Sequence, residues 1–212
     1  MQKLNLVLRH YNKLKPISCS MISGDTNKLF TVELNNNEVK GIEMIKGDPV
    51  LIGRLNDDES LCITGGNVVG VTQQDNKYII YANEIAIHSD IERRQYERYP
   101  TSLLGEIKLQ NSNKRESICL KDFSYSGMCL NSTGDFNVED NVEVCIYLSN
   151  NVAIYDGIVV RKAKNYGRNE YGIKIVYRDK NSISTAQAQV ISLVQSEKEI
   201  IYKHLLSSKF KL

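Results

Sequence analysis

The chain has 212 residues, which is enough for one large or two small domains. Hydrophobic residues make up 42% of it and charged residues 25%, an ordinary globular composition that argues against a disordered chain. The formal net charge is +2, from 27 basic and 25 acidic residues. A broad basic surface that coats nucleic acid is therefore disfavoured, whereas a small anionic ligand would need only a local cluster of cations.

Short apolar segments that alternate with polar residues fill the first ninety or so positions. Many short strands at regular spacing, separated by turn residues, predict a small barrel or sandwich. The predicted strands cover residues 4–8, 17–21, 29–34, 49–55, 60–64, 67–72 and 77–87. The glycines of GGNVVG at 65–70 are not followed by lysine and serine, so we interpret this segment as a turn between strands rather than a phosphate-binding loop.

A charged segment at residues 88–100 interrupts the strand pattern. We locate a domain boundary there, which gives domains at 1–90 and 91–212. Six further strands follow without a helical pattern between them, which is typical of a closed antiparallel barrel. They cover residues 103–109, 117–123, 128–130, 142–148, 152–162 and 171–177.

The last part of the chain, residues 181–207, changes to a helical period. Its recurring apolar residues are Ile183, Ala186, Val190, Val194, Ile201 and Leu205. We expect Asn181 or Ser182 to cap this helix. The apolar stripe should pack on the barrel or on a partner, and packing on its own barrel is favoured. The predicted fold is therefore mainly β, with two small β-barrel domains in tandem and a C-terminal α-helix.

Two short polar patterns stand out near the second predicted barrel. One is an RRxxxR arrangement in the linker and the other is a DxSxxG turn, formed by Arg93, Arg94 and Arg98 and by Asp122, Ser124 and Gly127. Taken alone, an arginine run is usually a solvated charged face, and Asp, Ser and Gly are ordinary turn residues. Their combination, with the arginines just before a barrel and the turn two strands into it, is more specific.

These motifs, in this order and setting, resemble those of the PilZ domain, a bacterial family of cyclic di-GMP receptors defined by RxxxR and D/NxSxxG. Arg94 and Arg98 match the first motif, and the turn matches the second. The segments DGIVVRK at 156–162 and YGIKIV at 171–176 also look similar, so the resemblance covers roughly residues 91–207. It implies a six-stranded PilZ-type antiparallel barrel and cyclic di-GMP as the ligand.

The first half resembles the N-terminal domain of flagellar-brake-type PilZ proteins, which is a PilZ-like split barrel. Residues 1–88 contain neither RxxxR nor DxSxxG, so this domain would lack the binding residues. The resemblance implies a receptor that changes its interdomain arrangement when ligand binds and then regulates a protein partner such as the flagellar motor.

The ligand explains the residue types of the two motifs. Cyclic di-GMP carries two phosphodiester charges and two guanines, and an arginine fork suits both phosphate oxygens and the O6 and N7 acceptors of guanine. Asp122 can accept from guanine nitrogens or orient an arginine, and Ser124 can donate to a phosphate oxygen. Gly127 can adopt a backbone conformation that a side chain would hinder, and it lets the ligand approach closely.

Two further arginines belong to this hypothesis. In the family, an arginine at the position of Arg93 implies a second, stacked ligand molecule, so a site holding two molecules is expected. Arg161, near the end of a neighbouring strand, is a candidate for one more ligand contact, with a surface salt bridge as the alternative interpretation.

Other functions find less support in the sequence. A PilZ barrel that serves as a nucleotide-free scaffold would not need both motifs intact, and the near-neutral charge disfavours a barrel that binds single-stranded nucleic acid. The three histidines lack metal-ligand spacing, so no metal or cofactor is predicted. No catalytic signature is present, and we expect a binding protein rather than an enzyme.

The five cysteines are widely spaced and lie in or beside apolar runs, where reduced, buried thiols are expected. Reduced thiols fit the cytoplasm. We recognise neither a signal peptide nor a stretch of about 20 apolar residues that could span a membrane, and we expect a cytoplasmic protein.

Overall fold

A computed structural model describes residues 4–13, 15–34, 43–56, 58–72, 77–83, 97–148 and 152–209. The chain divides into two compact units, one formed by residues 1–93 with 196–212 and the other by residues 94–195. Each unit contains a closed six-stranded antiparallel barrel, which confirms the predicted fold.

The first barrel has its apolar residues inside and its turns at Gly-, Asp- and Asn-containing segments. Its strands are β1 (Asn5–His10), β2 (Ile17–Gly24), β3 (Leu29–Leu34), β4 (Pro49–Leu55), β5 (Leu61–Thr72) and β6 (Lys77–Asn83). They are hydrogen-bonded in the order β1-β2-β3-β6-β5-β4, and β4 pairs with β1 to close the barrel. Leu8, Phe30, Val32 and Ile80 are among the fully buried core residues.

One local prediction in this barrel was wrong. GGNVVG is not a turn but lies inside the single long strand β5, which has a bulge between Val68 and Gly70. A Cβ atom on Gly66 would lie 2.9 Å from Cδ1 of Ile52 and 3.0 Å from the carbonyl oxygen of Tyr81. The glycine thus makes room for the side chain of Ile52 and the backbone of β6, a close approach that glycine often allows in strands.

The second barrel has the six strands that the alternating pattern predicts. They are β7 (Tyr99–Leu109), β8 (Glu116–Ser124), β9 (Gly127–Ser132), β10 (Asn141–Tyr147), β11 (Val152–Asn165) and β12 (Arg168–Ile175). The order β10-β11-β12-β9-β8-β7 closes through pairing of β10 with β7. With β1–β6 matched in order to β7–β12, the strand neighbours are the same in both barrels.

The helix α1 (Lys180–Lys209) begins with a cap that differs from the prediction. Asp179, not Asn181 or Ser182, caps it, because its Oδ1 accepts from the backbone N–H of Ser182 at 2.7 Å. No helix within the described residues is both long and apolar enough to cross a membrane.

The two halves of α1 belong to different units, whereas the sequence favoured packing on the preceding barrel alone. Ala186, Val190 and Leu193 join the core of the second barrel. From Ser196 onward the helix belongs to the first unit, where Ile201 and Leu205 pack with Val7 and Leu51. Gly53 makes this possible, since a Cβ atom there would lie 2.2 Å from Cγ2 of Ile201.

A buried polar cluster joins β1 to the turn before β4. Nε2 of His10 and Oδ2 of Asp48 are 3.2 Å apart, and both side chains are fully buried. Asp48 also accepts from the hydroxyl of Tyr11 and the backbone N–H of Ile45, each at 2.8 Å. Burial alone would raise the pKa of Asp48, but the hydrogen bonds from His10, Ile45 and Tyr11 outweigh it and hold the pKa below its usual value.

This depressed pKa predicts a loss of stability in acid. The contribution of Asp48 is fully present above its unfolded-state pKa of about 3.9 and is lost as the pH falls through the lower folded-state value. Asp48→Asn should lower stability by about 1–3 kcal/mol near neutral pH and flatten the acid limb of the stability profile. Thermal melts of both proteins between about pH 3 and pH 7 measure this, and parallel acid limbs would contradict it.

Candidate functional site

The β8–β9 hairpin forms the DxSxxG turn, and Ser124 holds it together. Its side chain is buried, and its hydroxyl donates to the carbonyl oxygen of Gly127 at 3.0 Å and accepts from the N–H groups of Ser126 and Gly127. Neither central residue, Tyr125 nor Ser126, has a positive φ angle, so this is not the usual primed hairpin turn. The Ser124 hydroxyl thus makes its hydrogen bonds within the turn, and its donation to a phosphate stays a prediction.

Gly127 is required for a different reason from the conformational one expected. Its φ angle is not positive, so its backbone conformation does not demand glycine. Instead, a Cβ atom would lie 2.6 Å from the carbonyl oxygen of Ile173 on the adjacent strand β12. Gly127 therefore allows β9 to approach β12 closely, and this contact fixes the turn against the barrel wall.

The pairing of β7 with β8 brings the two motifs together. Tyr99 lies opposite Phe123 and Pro100 opposite Asp122, so Arg98 comes beside the turn. Nη1 of Arg98 donates to Oδ1 of Asp122 at 2.8 Å, and the two side chains are 31% and 27% exposed. This charge-assisted hydrogen bond joins residues 24 positions apart, and both groups remain accessible to a ligand. Arg93 and Arg94 lie outside the described residues.

A second charged cluster lies on the same outer wall, and the sequence did not reveal most of it. Arg161 Nη2 donates to Oε1 of Glu170 at 2.7 Å, while Lys121 forms an ion pair with the other carboxylate oxygen. Asn165 donates to the same oxygen as Lys121, at 3.2 Å. The salt bridge considered for Arg161 is thus present. Its partner is hard to find from sequence, because Glu170 reaches Arg161 only through the register of β11 and β12.

Electrostatics keep this wall in defined charge states. Burial alone would raise the pKa of Glu170, but its interactions with Lys121, Asn165 and Arg161 outweigh it and hold the pKa below the usual value. Burial, followed by the negative charges of Asp122 and Glu170, raises the pKa of the Cys129 thiol to about 12. Glu170 is therefore ionised and Cys129 neutral near pH 7, so the thiol is not an activated nucleophile.

The turn is also tied to the end of β12. The N–H of Ile175 donates to the carbonyl oxygen of Ser126 at 3.1 Å, and the hydroxyl of Tyr177 donates to the backbone carbonyl oxygen of Tyr125. The carbonyl oxygens of both central turn residues therefore have hydrogen-bond donors within the second unit. Such a turn is a rigid base for the carboxylate of Asp122 rather than a loose loop.

A small closed barrel that presents an arginine and a carboxylate beside a rigid turn has the features of a ligand-binding module. Residues 92–192 match the family described as the PilZ domain, and this part of the chain is a PilZ domain. The resemblance inferred from the two motifs is therefore confirmed. No curated protein matches the chain.

Solved structures of three proteins are similar to the chain over most of its length. The inhibitor of motility MotI/DgrA of Bacillus subtilis is 14% identical in sequence. The match covers 89% of this chain and 95% of the MotI/DgrA chain, with a TM-score of 0.40. YcgR of Escherichia coli in complex with c-di-GMP is 13% identical, with coverages of 92% and 86% and a TM-score of 0.43. The MrkH–c-di-GMP complex of K. pneumonia is 10% identical, with coverages of 92% and 89% and a TM-score of 0.44.

The contacts of the turn predict that Gly127 and Ser124 each contribute to stability, for different physical reasons. Gly127→Ala should distort β9 against β12 and lower stability by about 1–3 kcal/mol, because the obstructing atom is backbone. Ser124→Ala should cost about 1–3 kcal/mol through the buried groups that it leaves unpaired. Ser126→Ala, in the same turn but less buried, is the control. Denaturant melts compare the three, and equal stability of Ser124→Ala and Ser126→Ala would contradict the role of Ser124.

Proposed function

We propose that this protein is a cyclic di-GMP receptor whose ligand binds at Arg98, Asp122 and the Ser124–Gly127 turn, together with Arg93 and Arg94. The observation that supports this most directly is the 2.8 Å bond between Arg98 and Asp122 within the PilZ domain. Two motifs far apart in sequence meet at one accessible point, and both carry the chemistry that a guanine nucleotide needs.

The ligand would bind groups that are already paired with each other but keep further donors and acceptors. Arg98 has further N–H donors besides Nη1, so it can bond a phosphate or a guanine edge while it keeps Asp122. Asp122 retains a second carboxylate oxygen that can accept from guanine nitrogens. Because both side chains are partly exposed, their pairing contributes little to stability, and its main effect is to orient the arginine fork.

The proposed activity is binding and regulation rather than catalysis. Cyclic di-GMP is a ligand here, two molecules per site if Arg93 contacts a second one, and a protein partner such as the flagellar motor receives the signal. A nucleic acid is not the expected partner, because the formal net charge of the chain is only +2.

Calorimetric titration with cyclic di-GMP tests the receptor proposal. Wild-type protein should bind at micromolar or lower concentration, and Arg94→Ala, Arg98→Ala and Asp122→Ala should each weaken binding roughly 10- to 100-fold, as expected for a charge-assisted bond. Arg178→Ala is a matched control, since Arg178 pairs with Asp156 at 3.1 Å and is the more exposed arginine.

The same titration distinguishes the alternatives. A ratio near two ligands per protein supports the contact of Arg93 with a second molecule, whereas a ratio near one contradicts it. Folded wild-type protein that does not bind cyclic di-GMP would contradict the receptor function and favour a nucleotide-free scaffold.

The ligand is further proposed to change the arrangement of the two domains. Arg93 and Arg94 belong to the sequence between the two barrels, so a ligand that binds them and the turn at once would restrain that segment. A ligand can shift such an equilibrium only through different affinities for the two arrangements. Small-angle scattering should show a change in shape at saturating cyclic di-GMP that Asp122→Ala abolishes, and identical profiles would contradict it.

A further inference from the structure

Three successive strand pairings connect Asp122, the partner of Arg98, to Arg161 across the outer wall of the second barrel. Asp122 lies opposite Cys129, Cys129 opposite Gly172, and Gly172 opposite Arg161. Their sequence neighbours Phe123, Met128 and Ile173 point into the core, so this row faces outward. Three strand spacings separate the backbone of Asp122 from that of Arg161 by roughly 14 Å.

The side chain of Arg161 extends back along this row. A Cβ atom on Gly172 would lie 3.2 Å from Cβ and 3.7 Å from Nε of Arg161, so the arginine lies directly over the glycine. Its Nη2 comes within 3.8 Å of the sulfur of Cys129, one strand away from Asp122. The wall beneath is made of small residues, and 56% of the arginine side chain is exposed.

Glu170 fixes the guanidinium in this position from the side. Only 9% of the Glu170 side chain is exposed, and Lys121 and Asn165 hold the carboxylate oxygen that does not contact Arg161. A carboxylate locked in this way cannot follow a mobile arginine, so the arginine adopts the geometry that the carboxylate dictates. Glu170 uses only Nη2, and 56% of the Arg161 side chain is exposed, so the flat face of the guanidinium and its other N–H groups remain for a ligand.

We infer that Arg161 provides a stacking surface for one base of the ligand and that Glu170 is the positioning residue that holds this surface in place. The inference rests on the proposed binding of cyclic di-GMP. A planar guanidinium stacks on a base face, whereas a lysine ammonium in the same place supplies charge without a plane. Nη2 of Arg161 lies 3.8 Å from the sulfur of Cys129, the register partner of Asp122, so a guanine whose edge meets Asp122 would lie beside Arg161.

Removal of the Glu170 charge could tighten or weaken ligand binding, and the direction of the change tells the two roles of Glu170 apart. Lys121 and Arg161 together carry two positive charges, and Glu170 carries one negative charge. If Glu170 only neutralised these cations, its removal would leave a stronger positive field, and an anionic ligand would bind more tightly. If Glu170 positions Arg161, its removal frees the guanidinium, and the ligand binds more weakly.

Calorimetric titration of cyclic di-GMP into Arg161→Ala, Arg161→Lys, Glu170→Gln and the double variant Arg161→Ala/Glu170→Gln separates these cases. Arg161→Ala should weaken binding roughly tenfold, the order of a lost base–arginine stack, and Arg161→Lys nearly as much. Glu170→Gln should weaken binding several-fold in the wild-type background. It should have no further effect once Arg161 is alanine, because it acts only through that residue.

Several results would overturn the inference. These are tighter binding by Glu170→Gln, an equal effect of Glu170→Gln with and without Arg161, or wild-type affinity in Arg161→Ala. Glu170→Asp keeps the carboxylate and is the second variant if Glu170→Gln melts at a lower temperature; it should bind between Glu170→Gln and wild type. Folded wild-type protein that does not bind would instead contradict the proposed function, and this role with it.

Discussion

The candidate site depends on the register between β7 and β8. Arg98 and Asp122 are 24 positions apart in sequence and meet only because Pro100 lies opposite Asp122. A shift of one residue would turn Asp122 toward the core, since successive side chains of a strand point to opposite faces. This register includes a bulge between Pro100 and Leu103 of β7. A second bulge, between Leu120 and Asp122 of β8, belongs to the pairing of β8 with β9.

The bulge in β8 has a further consequence for charge. Lys121 is the extra residue, so two consecutive charged residues, Lys121 and Asp122, are both available to the outer wall. Lys121 pairs with Glu170 and Asp122 with Arg98, and each carboxylate thus holds a different cation. An unbulged strand would turn one of the two side chains toward the barrel interior, where a charge is costly to bury.

The sequence predicts those features that local patterns determine. Period-two alternation gave the strands of the second barrel, and the combination of RxxxR and DxSxxG gave the family. The sequence did not reveal Glu170 as the partner of Arg161, nor why Gly127 must be glycine. Both depend on which strands lie beside β12. The docking of Ile201 was missed for a similar reason, since the pattern of a helix does not say which barrel its last turns contact. The cap at Asp179 was missed because the apolar period does not fix the first residue of a helix to within one or two positions.

The two barrels separate what the fold supplies from what the site supplies. They have the same strand neighbours, so β2 and β3 of the first barrel correspond to β8 and β9 of the second. In the first barrel this hairpin turns at Gly24, with a φ of 98°, and Asp25 accepts from the backbone N–H of Asn27 at 2.9 Å. This aspartate stabilises its own turn, whereas Asp122 orients an arginine. Identical topology therefore does not imply a second ligand site, because the chemistry lies in a few side chains placed on the fold.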